Sequence, residues 1–306
     1  MHIMNIDLHI HSSFSDGAHT PSELVALAVK HDVGVIAIAD HDSVAGVQEA
    51  FSAGAVAGVG VIAAVELSVK FGDWEDVHLL GYGIDCHDRQ FLENLDVFRR
   101  RRDGRNDEIL DRVNGMLNSE GRNILDRDRV RSFALDSIGR PHIARALLES
   151  GHATSMEDAF KRYLVPCNVP KFYWEIGEAI AGIHRIGGAA VLAHPTSISK
   201  DLVTLGAVIA ELQKSGLDGI EVYNNMGWPL EIEFLRRTAE GCGLLVTAGS
   251  DFHGIEEGLE IGKGREGMRF DSSLLAPLYE RIQQIQKQTA TSSLYTPCNQ
   301  PRGCPQ

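Results

Sequence analysis

What most constrains this chain is a rhythm. Through the first third, short apolar runs alternate with amphipathic stretches: Ile3 to Leu8, Pro21 to Lys30, Val33 to Ala39, Val44 to Ala57 and Val59 to Leu67. Short runs read as buried strands and periodic stretches as helices, which gives the order βαβαβ. Thr20, followed three residues on by Glu23, makes a capping box, and Pro21 takes the first helical position, where a missing N–H costs nothing. Val77 to Ile84 reads as a further strand after a turn through Gly72 to Asp76. From about Asp96 to Glu175 β-branched runs vanish and arginine accumulates, Arg99 to Arg102 standing in a row, which predicts an inserted helical subdomain. Strand-like runs return at Ala189 to Ala193, Gly219 to Tyr223 and Leu244 to Ala248, between helical stretches from Gly177 to Ile186, Leu202 to Ser215 and Pro229 to Cys242. Such alternation implies an α/β fold with a parallel sheet. About seven strands suggest a closed or nearly closed barrel, with an open doubly wound sheet as the alternative. Residues 1–95 and 176–287 would form the core, 96–175 the insertion, and 288–306, rich in Thr, Ser, Pro, Gln and Asn, a disordered tail.

Composition enters by what it excludes. A formal charge of −13 argues against long duplex nucleic acid and anionic membranes as partners, since phosphate backbones need a basic face. Five cysteines, two of them in the last nine residues, make no disulfide framework and point to a reducing, cytoplasmic setting. Met1 to Asp7 has neither the basic nor the apolar region of a signal peptide, and no stretch approaches bilayer length. The glycines at Gly81, Gly83, Gly187 and Gly188 lack any phosphate-binding or dinucleotide fingerprint, and no Gly-x-Ser-x-Gly elbow is present.

The chemistry lies in where the histidines and acids fall. Past the first strand come His9, His11 and Asp16; past the second, Asp40-His41-Asp42; past the third, Glu66; at the fourth, His78. After the insertion come His194-Pro195 and Ser250-Asp251-Phe252-His253. Residues two apart on a strand share a face, so His9 and His11 can serve one ion. Taken singly, His78 is more often a hydrogen-bonded residue and Glu66 an ion-pair partner; six strand ends carrying imidazole or carboxylate are more than packing requires.

These residues, His9-x-His11, Ser15-Asp16-Gly17, Ala39-Asp40-His41-Asp42-Ser43, Glu66, His78, His194-Pro195 and Gly249-Ser250-Asp251-x-His253, resemble the motif set of the PHP (polymerase and histidinol phosphatase) family. The resemblance implies a distorted (β/α)7 TIM-like barrel, the PHP fold, holding three divalent ions. The first would take His9, His11, Glu66 and Asp251; the second Glu66, His78 and His194; the third Asp16, His41 and His253. Many relatives carry histidine where Asp16 stands here, which makes the third site richer in oxygen. Mixed nitrogen and oxygen ligation suits manganese above all, with zinc and iron(II) as alternatives.

Within that family the insertion is similar to the bacterial 3',5'-nucleoside bisphosphate phosphatase group, whose members also trim short RNA from its 5' end. Arg99-x-x-Arg102, Gly139-Arg140-Pro141-His142-Ile143-Ala144-Arg145 and Ala159-Phe160-x-x-Tyr163-Leu164 carry that likeness. A second phosphate away from the ions needs its own cations. Arg99 and Arg102, three apart on one helical face, could close on it, with Arg140 and His142 adding contacts and Asp16 and His41 bordering the substrate. A solvated basic face balanced by Asp96, Asp103 and Asp107 is the alternative for the arginines. The expected reaction is hydrolysis of a phosphomonoester by water activated between clustered ions, with Asp251, Glu66 and His194 as catalytic residues and a nucleoside 3',5'-bisphosphate or short RNA as substrate. Histidinol phosphate, and a non-catalytic metal-stabilised binding module, are the competing readings.

Overall fold

In a computed structural model, which describes residues 4–133 and 138–294, ten helices and eight strands alternate much as the rhythm requires. In chain order they are β1 (Asn5–Ile10), α1 (Pro21–Lys30), β2 (Val33–Ile38), α2 (Val47–Ala57), β3 (Gly60–Phe71), β4 (Trp74–Tyr82), α3 (Arg89–Ser119), α4 (Arg127–Arg131), α5 (Arg140–Glu149) and α6 (Met156–Ala159). Then follow β5 (Trp174–Glu175), α7 (Ile176–Arg185), β6 (Ala189–Leu192), α8 (Leu202–Lys214), β7 (Gly219–Tyr223), α9 (Pro229–Cys242), β8 (Leu245–Ala248) and α10 (Leu275–Leu294). The start of α1 has the expected cap: Glu23 N–H donates to Thr20 Oγ1, and Thr20 N–H donates to the Glu23 carboxylate at 2.8 Å.

The strands form one mixed sheet in the order β1-β2-β3-β4-β6-β7-β8, with β5 beside β3. It is not wholly parallel, as the alternation suggested: β4 runs antiparallel to both β3 and β6. The reason is local. Phe71 pairs with Trp74 across Gly72 and Asp73, and a two-residue turn can only return the chain antiparallel, whereas a parallel neighbour needs a long crossover. The end of β1 also meets the segment after β8, for Asp251 N–H donates to His9 O at 2.8 Å and His11 N–H to Phe252 O at 2.9 Å.

One face of the sheet, with Val65, Leu67, Leu79, Leu192, Ile220 and Val222, packs in a core with residues of α7, α8 and α9. Leu8, Ala37, Ala64, Tyr82, Val191 and Ala248 belong to a second core, which α10 completes with Leu275, Leu278, Ile282 and Ile285. α10 reaches into the stretch expected to be a disordered tail: residues 288–294 continue its helix, and 295–306 lie outside the described residues.

The insertion leaves the sheet through α3, which starts at Arg89 rather than near 96. Phe91 and Leu95 lie in the sheet's core, while Ile109, Leu110, Val113 and Leu117 of the same helix join Ile143, Leu147, Tyr163 and Leu164 in a separate one. A single helix thus contributes to both cores.

Candidate active site

β1 delivers His9 and His11 to one buried point, their Nε2 atoms 3.1 Å apart. Glu221, in the middle of β7, fixes the first ring: its Oε1 lies 3.0 Å from His9 Nδ1, and its Oε2 accepts the His194 backbone N–H at 2.9 Å. Glu66 on β3 stands at the centre. Its Oε1 is 3.4 Å from His9 Nε2, 3.0 Å from His78 Nδ1 and 3.1 Å from His194 Nε2; its Oε2 is 3.4 Å from His11 Nε2 and 2.8 Å from His41 Nδ1. Asp251 Oδ1 sits 3.2 Å from His11 Nε2 and 3.5 Å from His9 Nε2. Asp16 faces His253 at 3.4 Å and His11 and His41 at 3.8 Å. Burial alone would raise Glu66, but His78, His41 and His9 hold its carboxyl well below the usual range; burial likewise opposes, and His41 and His253 enforce, the lowering of Asp16.

The nine side chains singled out as ligands thus converge in four overlapping groups: His11, Asp16, His41 and His253; His9, His11 and Asp251; His9, Glu66 and His194; His41, Glu66 and His78. The grouping differs from the expected partition: His11 also faces Asp16, Glu66 groups with His9 and His194 rather than with His9, His11 and Asp251, and His78 groups with Glu66 and His41 rather than with His194. Several atoms, among them His11 Nδ1, His41 Nδ1, Glu66 Oε2 and both nitrogens of His78, are buried without an aligned hydrogen bond. Close donors that point past one another suit a shared cation, and an all-imidazole and carboxylate set suits a borderline divalent ion. Backbone strain gathers here too, with positive φ at Asp42, Asp76, His194 and Asp251.

Supporting acids that the sequence reading treated lightly or missed fix these loops. Asp40 accepts from Ser12 N–H at 2.7 Å, Ser12 Oγ at 2.6 Å and Ser15 Oγ at 2.5 Å, which shapes the turn that presents Asp16. Asp7 accepts from Ser250 N–H and Oγ and from Gly262 N–H, pinning the loop of Asp251 to β1; burial raises its pKa to about 6. A Cβ at Gly249 would lie 2.2 Å from that of His9, so only glycine lets the two loops approach this closely. Glu221 carried a sequence signal as an acid in the middle of an otherwise apolar strand, whereas Asp7 shares its strand with Asn5 and His9.

From this cluster a cavity of about 440 Å³ opens toward the insertion, with Asp16, His41 and His78 on its floor and Arg101, Arg102, Arg105, Arg140 and Lys171 among its walls. Arg102 donates to His41 O at 3.0 Å and to Asp42 Oδ2 at 2.5 Å. Lys171 Nζ reaches Asp76 Oδ1 at 2.8 Å, and burial pushes its ammonium down from the usual lysine value. Lys171, Arg101 and Arg105 were not anticipated; Lys171 follows a proline in a loop and has no periodic signal. Two expectations are corrected. Arg99 and Arg102 do not close on one cavity: Arg99 pairs with Asp96 and lines a neighbouring groove with Cys86 and His87, whereas Arg102 is drawn to Asp42 and the His41 carbonyl. His142 does not line the cavity; it is buried at the start of α5, where its Nδ1 accepts the Gly139 N–H at 2.8 Å as a helix cap.

Fold and site together define an α/β protein with overlapping clusters of candidate metal ligands at strand ends beside a cationic cavity. Residues 7–177 match the PHP domain. The chain is 33% identical over 261 residues, 83% of its length and 89% of the relative's, to a 3',5'-nucleoside bisphosphate phosphatase of Chromobacterium violaceum. It is 34% identical over 268 residues, 84% of its length and 88% of the relative's, to the 5'-3' exoribonuclease Rnm of Escherichia coli. A solved amidohydrolase of Chromobacterium violaceum with bound sulfate superposes with a TM-score of 0.78 at 30% identity, covering 90% of this chain and 96% of the other. The chain belongs to the PHP domain family.

Proposed function

We propose that this protein is a metal-dependent phosphatase that removes the 3'-phosphate of nucleoside 3',5'-bisphosphates to leave the 5'-monophosphate, and that the same site trims short 5'-phosphorylated RNA. One observation carries the reading: a single cavity joins the His and carboxylate cluster to a wall bearing Arg102, Arg140 and Lys171, so two phosphates of one ligand can be met at once. The relatives named as a bisphosphate phosphatase and as exoribonucleases support it, as does the chain's similarity over more than four fifths of its length.

The centre is read as trinuclear and manganese-loaded, with His9, His11, Glu66 and Asp251 on one ion, Glu66, His78 and His194 on a second, and Asp16, His41 and His253, joined by His11, on the third. Bound divalent ions would neutralise phosphoryl oxygens and lower the pKa of water. The protein's own groups do the rest. Glu221 orients the His9 ring, and Asp40 holds the Asp16 loop. The wall cations anchor the 5'-phosphate, which fixes the 3'-phosphate over the cluster and turns binding energy into alignment. Such local charge lets an acidic protein take a polyanion. We read the sheet as a distorted (β/α)7 barrel, supported by the bonds between β1 and the segment after β8, and residues 96–175 as the substrate-binding insertion. A reducing, cytoplasmic setting suits Cys86, Cys167 and Cys242, which are free thiols.

The test is phosphate release from 3'-phosphoadenosine 5'-phosphate against 5'-AMP, 3'-AMP and histidinol phosphate with manganese, beside a chelator-treated control. Preference for the bisphosphate with 5'-AMP as product is expected, and release of 5'-monophosphate from short RNA should accompany it. Preference for histidinol phosphate would reverse the assignment, and metal binding without turnover would leave a binding module.

A further inference from the structure

The cavity has two chemically different walls. Beside the cations stands an aromatic stack that the phosphate-binding role leaves unused: Phe172, 48% exposed although it is a large apolar ring, lies against Phe98 with ring centroids 4.9 Å apart, and Phe98 in turn stacks on Trp174 at 4.3 Å with 10° between the planes. Phe98 and Trp174 belong to the core of the sheet, so the stack is a fixed surface. The Arg101 guanidinium lies over the Phe172 ring, 3.7 Å from its centroid. Arg101, Phe98 and Phe172 all line the same cavity as Arg102, Arg140 and Lys171.

We propose that the Phe172 and Arg101 platform seats the nucleobase of the ligand. The inference rests on the nucleotide reading above and deepens it: a nucleotide carries a planar base at one end and a phosphate at the other, and the cavity offers a planar apolar and guanidinium surface next to a cationic one. Base stacking on an aromatic ring or a guanidinium plane accepts any base, because each has a π face. The alternative wall is Phe160, which also lines the cavity and has Arg140 5.8 Å from its ring centroid, but it packs against the insertion's own core.

Equilibrium binding of 5'-AMP and of ribose 5-phosphate, measured by calorimetry, separates the base from the phosphate without requiring turnover. The wild-type protein should bind 5'-AMP on the order of tenfold more tightly than ribose 5-phosphate. Phe172→Ala should abolish that preference and leave ribose 5-phosphate affinity unchanged, while Phe172→Trp should restore it. The base seat is overturned if Phe172→Ala keeps the preference, if both ligands weaken equally, or if Phe160→Ala is the variant that removes it. Equal wild-type affinity for the two ligands would sink the base seat alone; binding of neither would sink the nucleotide reading with it.

Discussion

Two imidazole nitrogens 3.1 Å apart, on His9 and His11, set the residue-scale problem: they can share one proton in a hydrogen bond or both give lone pairs to a cation, but not both at once. Glu221 decides which nitrogen of His9 faces inward, so Glu221→Gln, nearly isosteric but neutral, should weaken divalent-ion affinity roughly 10- to 100-fold with an unchanged circular-dichroism spectrum. Competition against a chelating dye would show it, and unchanged affinity would remove Glu221 from the metal centre. The same crowding predicts a pH effect. Burial opposes protonation of His78 and His253, yet Glu66 raises the first to about 9 and Asp16 the second to about 10. Below those values the imidazoles keep their protons, and an ion must displace them, so manganese affinity should rise with pH between roughly 6 and 8 with proton release on binding. Calorimetry in buffers of different ionisation enthalpy reads that release; a pH-independent affinity would contradict it. His9, His11, Glu66 and Asp251 were legible because strand ends rarely need such residues for packing. Glu221 and Asp7 were not, because sequence alone does not say which face of a strand an acid occupies.

At the scale of elements, α3 and the loop before β5 bring Arg102 and Lys171 to the cavity. Arg102 turns inward to Asp42 and the His41 carbonyl, whereas Arg99 pairs with Asp96 one turn earlier on the same helix. Arg99→Ala is therefore expected to leave the KM for a nucleoside bisphosphate within about twofold, as surface pairs contribute little. Lys171→Ala should raise it about tenfold or more with less effect on a 3'-monophosphate. Steady-state kinetics on both substrates distinguishes these, and equal effects of the two variants would refute the assignment of the wall. The loop after β1 makes its own prediction. Asp40 accepts three hydrogen bonds while buried, and its carboxyl is raised chiefly by that burial. Asp40→Asn turns an amide toward donors and should destabilise the fold by about 1–3 kcal/mol in thermal unfolding. Composition pointed to helices between residues 96 and 175, and a turn starting at Gly72 was visible as well, although β4 begins at Trp74 rather than Val77. The strand's antiparallel direction follows from the length of that turn, a geometric fact that composition does not carry.

For the molecule as a whole, a buried cluster of acids and imidazoles is costly until an ion joins it. Adding manganese at about 100 times its Kd should stabilise the chain by about 2.7 kcal/mol, and a chelator should return it, read as a shift in Tm. No shift would mean that the folded chain does not bind the ion. Among the described residues no helix is long and apolar enough to cross a membrane. The sequence by itself determined the alternation of strands and helices and the residue types at the strand ends, because burial periodicity and ligand chemistry are properties of the chain's order. The tertiary structure alone decided which of those residues meet: that Glu66 sits among five imidazoles, that Glu221 orients His9, that Lys171 and not Arg99 lines the cavity, and that Phe172 faces it. Convergence of side chains tens or hundreds of residues apart depends on the register and twist of strands, which no local pattern encodes.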